Sequence, residues 1–201
     1  MPNKWDESPT EDSGESITEM MQHLDEAKQR RKTNTRRRPR NKPGTGIQAK
    51  IQRQSNVAVL ASNHEARLAE ITANDAVTHR SGKPWKSARL GVEAHGRLPI
   101  YYRQNGIITH KGYISRIILY PDKYTTEAEE FIQHISQDDT YSEYHDLLDT
   151  TTFIVTDGEQ LDEPFPQTEL KKLSGDGNIN EGYSRQPAYV IQRPGDFPDF
   201  P

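Results

Sequence analysis

The chain has 201 residues, of which 31% are hydrophobic and 28% charged, so one ordinary domain plus unpacked polypeptide is all that its apolar content supports. It contains no cysteine, which excludes disulfides and thiolate metal sites and points to a reducing compartment. The net charge of -4 conceals three blocks. Met1 to Ala27 holds one Lys against eight acids; Lys28 to Arg53 holds eleven Lys and Arg and no acid; the remainder has fourteen basic and twenty-two acidic residues. No apolar run approaches the roughly 20 residues that span a bilayer, and no leader pattern is present, so neither membrane insertion nor export is expected.

Residues 1–54 carry too few large apolar side chains to offset the entropy of ordering, and they are expected to form a disordered tail. Within it, Ile17, Met20, Met21 and Leu24 fall on one helical stripe. Ser16 with Glu19 forms a capping box, so the spacing predicts a short amphipathic helix over 16–31. A helix of that size is marginal alone, which makes it a candidate docking segment for a protein partner. Next comes the densest positive charge, with Arg30, Arg31, Lys32, Arg36, Arg37, Arg38 and Arg40 as candidate phosphate contacts. The competing readings of this run are an import signal or a solubilising linker.

The domain is expected over 55–201. Val57 to Ala61 predicts a buried strand, and Asn63 is a candidate cap for a helix over 64–73. Thr78 to Arg97 is basic with weak periodicity and is expected to be irregular, with at most one short strand or turn of helix. It groups Arg80, Lys83, Trp85, Lys86 and Arg89, near Arg97 and Arg103, and a concentration of cations around an aromatic in an acidic domain resembles a site. Of these, Lys83, Lys86 and Arg89 are further phosphate candidates. Trp85 either belongs to that site or closes the core.

Leu98 to Pro121 is rich in β-formers, with Asn105-Gly106 and Lys111-Gly112 as candidate turns. Thr125 or Thr126 can cap a helix bearing Ala128, Phe131, Ile132 and Ile135, and Asp138 or Asp139 a second one through Leu148. Thr150 to Thr156 predicts a strand ending at Asp157-Gly158, Pro166 to Leu173 a short helix, and Ala188 to Gln192 a last strand. The order is that of an α+β domain, a mixed antiparallel sheet with helices packed outside.

Catalytic signals are weak. The seven histidines show no HExxH-type spacing, and GxSxG, P-loop and GxGxxG motifs are missing, so no metal, cofactor or catalytic residue is assigned. Asp157 with Glu169 and Lys171 superficially matches a metal-dependent nuclease pattern. On the helix expected there, residues two apart diverge.

Three stretches carry a family resemblance: Leu98-Pro99-Ile100-Tyr101-Tyr102; Gly112-Tyr113-Ile114-Ser115-Arg116-Ile117; and Phe153-Ile154-Val155 followed by Leu161, Pro164, Phe165 and Leu170. Together they resemble the PUA-like superfamily, in particular EVE domains and the related YTH and ASCH domains. The resemblance implies a small mixed β-barrel flanked by helices, with a pocket that takes a flipped or unpaired base. Carried over residue by residue, it puts Trp85 and Ser87 on the loop before the barrel strand, Tyr101 or Tyr102 on the pocket wall, and Tyr183, Ser184 and Arg185 before the final strand. The chain lacks the Arg-Asn pair that often follows the family's loop Trp.

The resulting expectation is a non-enzymatic module of the cytoplasm, nucleoid or nucleus that binds DNA or RNA, with a modified base as a candidate ligand. A protein-interaction adaptor docking through Ile17, Met20, Met21 and Leu24 is the alternative.

Overall fold

A computed structural model describes residues 46–122, 124–135 and 148–198. The chain divides into Met1–Arg40 and Asn41–Pro201, and the described fold belongs to the second unit. The amphipathic segment 16–31, the cations from Arg30 to Arg40 and the helix expected after Asp138 lie outside the described residues.

The folded part begins earlier than expected. Helix α1 (Ile47–Arg53) falls within the stretch assigned to the tail, yet Ile51 is fully buried and packs with Val57 and Leu173. Lys50 Nζ donates to the Leu173 carbonyl at 2.9 Å, which ties α1 to the far end of the domain. The apolar pair Ile47 and Ile51, one helical turn apart, was the available signal.

Strand β1 (Val57–Ser62) leads to α2 (Glu65–Ala73) and β2 (Ala76–Ser81), then α3 (Lys86–His95) and β3 (Leu98–Gln104). Asn63 Oδ1 accepts from the His64 N–H at 2.9 Å just before α2. The stretch expected to hold at most one short element therefore contains most of β2 and a ten-residue helix, α3.

A two-residue turn joins β3 to β4 (Ile107–Leu119), with φ of 49° at Asn105 and 81° at Gly106, as such a hairpin requires. Lys111-Gly112 is not a turn. Gly112 sits inside β4, where an added Cβ would lie 3.0 Å from Val155 Cγ1 and 3.1 Å from the Thr156 carbonyl, so packing rather than bending demands glycine there. Helix α4 (Thr126–Gln133) is capped by the Thr125 side chain, which accepts from the Ala128 N–H.

Strand β5 (Thr151–Pro166) runs through Asp157-Gly158 instead of ending there. The register against β4 shifts at this point and Asp157 takes φ of 50°, so the pair acts as a bulge within a continuing strand. The helix expected over 166–173 reduces to one 3-10 turn, Gln167–Glu169, before β6 (Ala188–Ile191).

The six strands form one sheet in the order β2-β5-β4-β3-β1-β6. It is not the closed barrel that was expected. The two outer strands satisfy their free edges elsewhere: the Thr78 N–H of β2 donates to the His134 carbonyl at 2.8 Å, and β6 exchanges bonds with Lys171 and Leu173, each at 2.9 Å. These bonds cover part of each edge.

Strict alternation supplies core to both faces. Val59, Ala61, Ile100 and Tyr102 pack with Leu68, Ile71 and Trp85 on the face covered by α2 and α3. Ala58, Leu60 and Tyr101 pack with Phe165, Leu170, Val190 and Phe197 on the other.

Gly158 lies against α2, where an added Cβ would come within 2.4 Å of the Ile71 carbonyl. Gly158→Ala should destabilise the fold by about 1–3 kcal/mol in urea melts, whereas Gly182→Ala, with open space around it, should be nearly silent.

Candidate functional site

Three of the four aromatics expected to shape a pocket, Trp85, Tyr101 and Tyr102, are core residues. Trp85 is only 2% exposed; its indole stacks on Phe153 at 4.6 Å between centroids and its Nε1 donates to Ser81 Oγ at 3.1 Å. Tyr101 and Tyr102 are both buried, on opposite faces of the sheet. The Tyr101 hydroxyl donates to Asp196 Oδ2 at 2.5 Å, and burial followed by that carboxylate pushes its pKa far up.

The other members of the basic stretch do not converge. Ser87 is half-buried at the start of α3 and hydrogen-bonds Tyr189, whose hydroxyl accepts from the Ala88 N–H at 3.0 Å. Lys83, Lys86 and Arg89 are exposed, and Arg89 pairs with Glu93 at 2.7 Å. The nuclease-like trio is also dispersed: Asp157 meets Arg97 at 3.3 Å and Glu169 meets Arg193 at 3.5 Å. The 3-10 turn ends at Glu169, so the helix expected to separate Glu169 from Lys171 is not formed.

The site that the fold does build is a cleft of about 1060 Å³. It lies where β1 and β3 end side by side, the parallel pair among the described strands. Parallel neighbours send both carboxyl ends to one edge of the sheet, and the departing chains leave a crevice there. Ser62, Asn63 and Glu65 border it from the β1–α2 connection, His79 to Gly82 from β2, and Arg103 to Gly106 from the hairpin. Tyr183 and Ser184 line it as well; Arg185 contributes its carbonyl to the network behind.

Among the lining residues, Arg103 is buried, at 4% exposed. Its Nε donates to Ser62 Oγ at 2.9 Å, Nη1 to Gln167 Oε1 and the Tyr183 carbonyl at 2.6 Å each, and Nη2 to the Arg185 carbonyl at 3.3 Å. Every one of those acceptors is neutral, and no carboxylate among the described residues pairs with the guanidinium. Burial pulls its pKa below the ordinary value, but a guanidinium stays protonated in protein. Gln167 is fixed in turn, donating from Nε2 to the Asn180 and Glu181 carbonyls at 2.8 and 2.7 Å.

His79 occupies the β2 side, buried among Tyr102, Phe153 and Asn63. Its Nδ1 lies 2.6 Å from the Tyr102 hydroxyl and 3.3 Å from Asn63 Nδ2. Asn63 Oδ1 is engaged by the His64 N–H, so Nδ2 faces the imidazole and Nδ1 acts as acceptor. The proton then sits on Nε2, which has no partner of ordinary geometry among the described residues. Burial lowers the His79 pKa to about 4, against a smaller upward pull from the Arg67 main chain.

Sequence reasoning missed His79 and Gln167, and placed Arg103 only beside the Trp85 cluster. The one local clue was a charge inside an apolar strand, at the last position but one before the Asn-Gly turn.

No known protein family matches the chain, and no curated protein matches it. Among solved structures, it shows a distant similarity to the N-terminal domain of McrB from Staphylothermus marinus. That likeness covers 70% of this chain and 90% of the other at 12% identity, with a TM-score of 0.37.

His79 gives the site a pH signature. Between pH 6.5 and about 4 the unfolded chain binds a proton that the folded imidazole refuses, so stability is full above 6.5 and falls as pH drops across that window. The loss should amount to about 3 kcal/mol at pH 4 in urea melts, and His79→Gln should remove that part of the decline.

Proposed function

We propose that this protein is a nucleic-acid-binding module whose cleft at the carboxyl ends of β1 and β3 takes a single unstacked base. The observation that carries the reading is Arg103, a buried cation that pairs with no carboxylate among the described residues and lines a cleft large enough for a nucleotide. Around it stand planar groups suited to the edge of a ring: Asn63, Gln104, Asn105 and Gln186, with the half-buried ring of Tyr183 beside the guanidinium. The rim mixes Arg67 and Arg80 with Glu65, Asp149 and Glu181. That mixture suits a neutral heterocycle better than a run of phosphates.

Phosphate attraction must then come from the basic stretch, because the residues from Gln54 onward carry fourteen basic against twenty-two acidic side chains. Arg30, Arg31, Lys32, Arg36, Arg37, Arg38 and Arg40 supply it without reading sequence. The PUA-like expectation of a base-accepting pocket is thus kept, but moved from Trp85 to Arg103. A modified base is the finer form of this reading, and the module acts by binding rather than catalysis, inside the cell where nucleic acid is found.

Fluorescence anisotropy with labelled single and double strands at two salt concentrations tests the division of labour. Replacing the seven cations by Gln should weaken binding to every sequence and reduce the single-strand salt slope by up to about 5. Tyr183→Ala should weaken single-strand binding about tenfold and leave the slope unchanged. Loss of neither quantity in either variant overturns the proposal.

A further inference from the structure

The guanidinium network specifies more than a place for a ring. Arg103 has five N–H groups, and the bonds to Ser62, Gln167, Tyr183 and Arg185 use four of them. The fifth, on Nη2, has no acceptor among the described residues. The fork cannot turn to hide it, since Nε and both Nη1 hydrogens are bound and the Gln167 acceptor is itself held by two main-chain carbonyls.

We infer that Arg103 selects a base that turns a ring carbonyl, and not an exocyclic amine, toward its guanidinium: guanine over adenine. The inference rests on the proposed binding of an unstacked base and names its chemistry. A carbonyl oxygen completes the guanidinium and lies against its positive charge. An amino group at the same ring position would set donor against donor, leaving both unpaired in a buried place, which is the costly arrangement. Guanine and adenine have the same fused-ring size and similar stacking faces. Their discrimination therefore isolates the group at the sixth ring position, where one has oxygen and the other nitrogen.

The test uses the full chain and short strands of abasic residues carrying one base, so that backbone attraction is constant. Anisotropy titrations should show guanine bound about tenfold more tightly than adenine. Inosine, which keeps the carbonyl and lacks the amine on the second ring carbon, should bind like guanine. Arg103→Lys, with folding checked by its melting curve, should bring guanine and adenine to equal affinity.

Equal binding of guanine and adenine by the unaltered protein overturns the inference while leaving base binding intact, provided both exceed the fully abasic strand. A guanine preference that survives in Arg103→Lys also overturns it. If no single base improves on the abasic strand, the underlying reading of the cleft fails first. Should Arg103→Lys not fold, the guanine, inosine and adenine series decides by itself.

Discussion

The structure around the cleft depends on one buried positive charge. Arg103 is held by Ser62 from the end of β1, by Gln167 from the turn after β5, and by the carbonyls of Tyr183 and Arg185 before β6. A guanidinium taken out of water must find its hydrogen bonds in the protein, and these four partners come from segments distant in the chain. The charge thereby locks three connections into one wall. Those acceptors are neutral, so the positive charge at this wall is not cancelled by them.

The sheet makes that wall possible by being covered on both faces. In β3, Tyr101 goes to one core and Tyr102 to the other, and each hydroxyl finds a polar partner at the margin, Asp196 and His79 respectively. A tyrosine buried in this way anchors the strand through its ring and aligns a polar group through its oxygen. Because Tyr102 meets His79 across the fold, β2 is drawn over the cleft although it does not pair with β3. Trp85 strengthens the same side by stacking on Phe153, which is why a residue that resembles a ligand-stacking aromatic is committed to the interior.

Much of the architecture was legible locally. The apolar run of β1, the Asn105-Gly106 hairpin, the Thr125 cap and the strand at Ala188 each rest on chemistry within a few residues. What misled were signals with two meanings. Glycine after Lys111 and after Asp157 resembles a turn, but both glycines sit within strands because neighbouring groups, Val155 and Ile71, come too close for any side chain. Basic residues scattered from Arg80 to Arg89 resemble a binding loop, yet they fall on the end of β2, a short connection and the start of α3, whose buried face is made of Ala88 and Gly91 and so gives little apolar signal.

By itself the sequence determined the α+β class, the separation of charge along the chain and the absence of thiol chemistry, because propensity, net charge and composition are properties of residues and their near neighbours. Tertiary structure decided that the sheet stays open, that Trp85 and both tyrosines of β3 are interior, and that Arg103 faces neutral acceptors instead of a carboxylate. Those outcomes depend on which distant segment arrives beside a given side chain. Burial and the partners of a buried charge are set by that meeting, and residue spacing along a chain does not encode it.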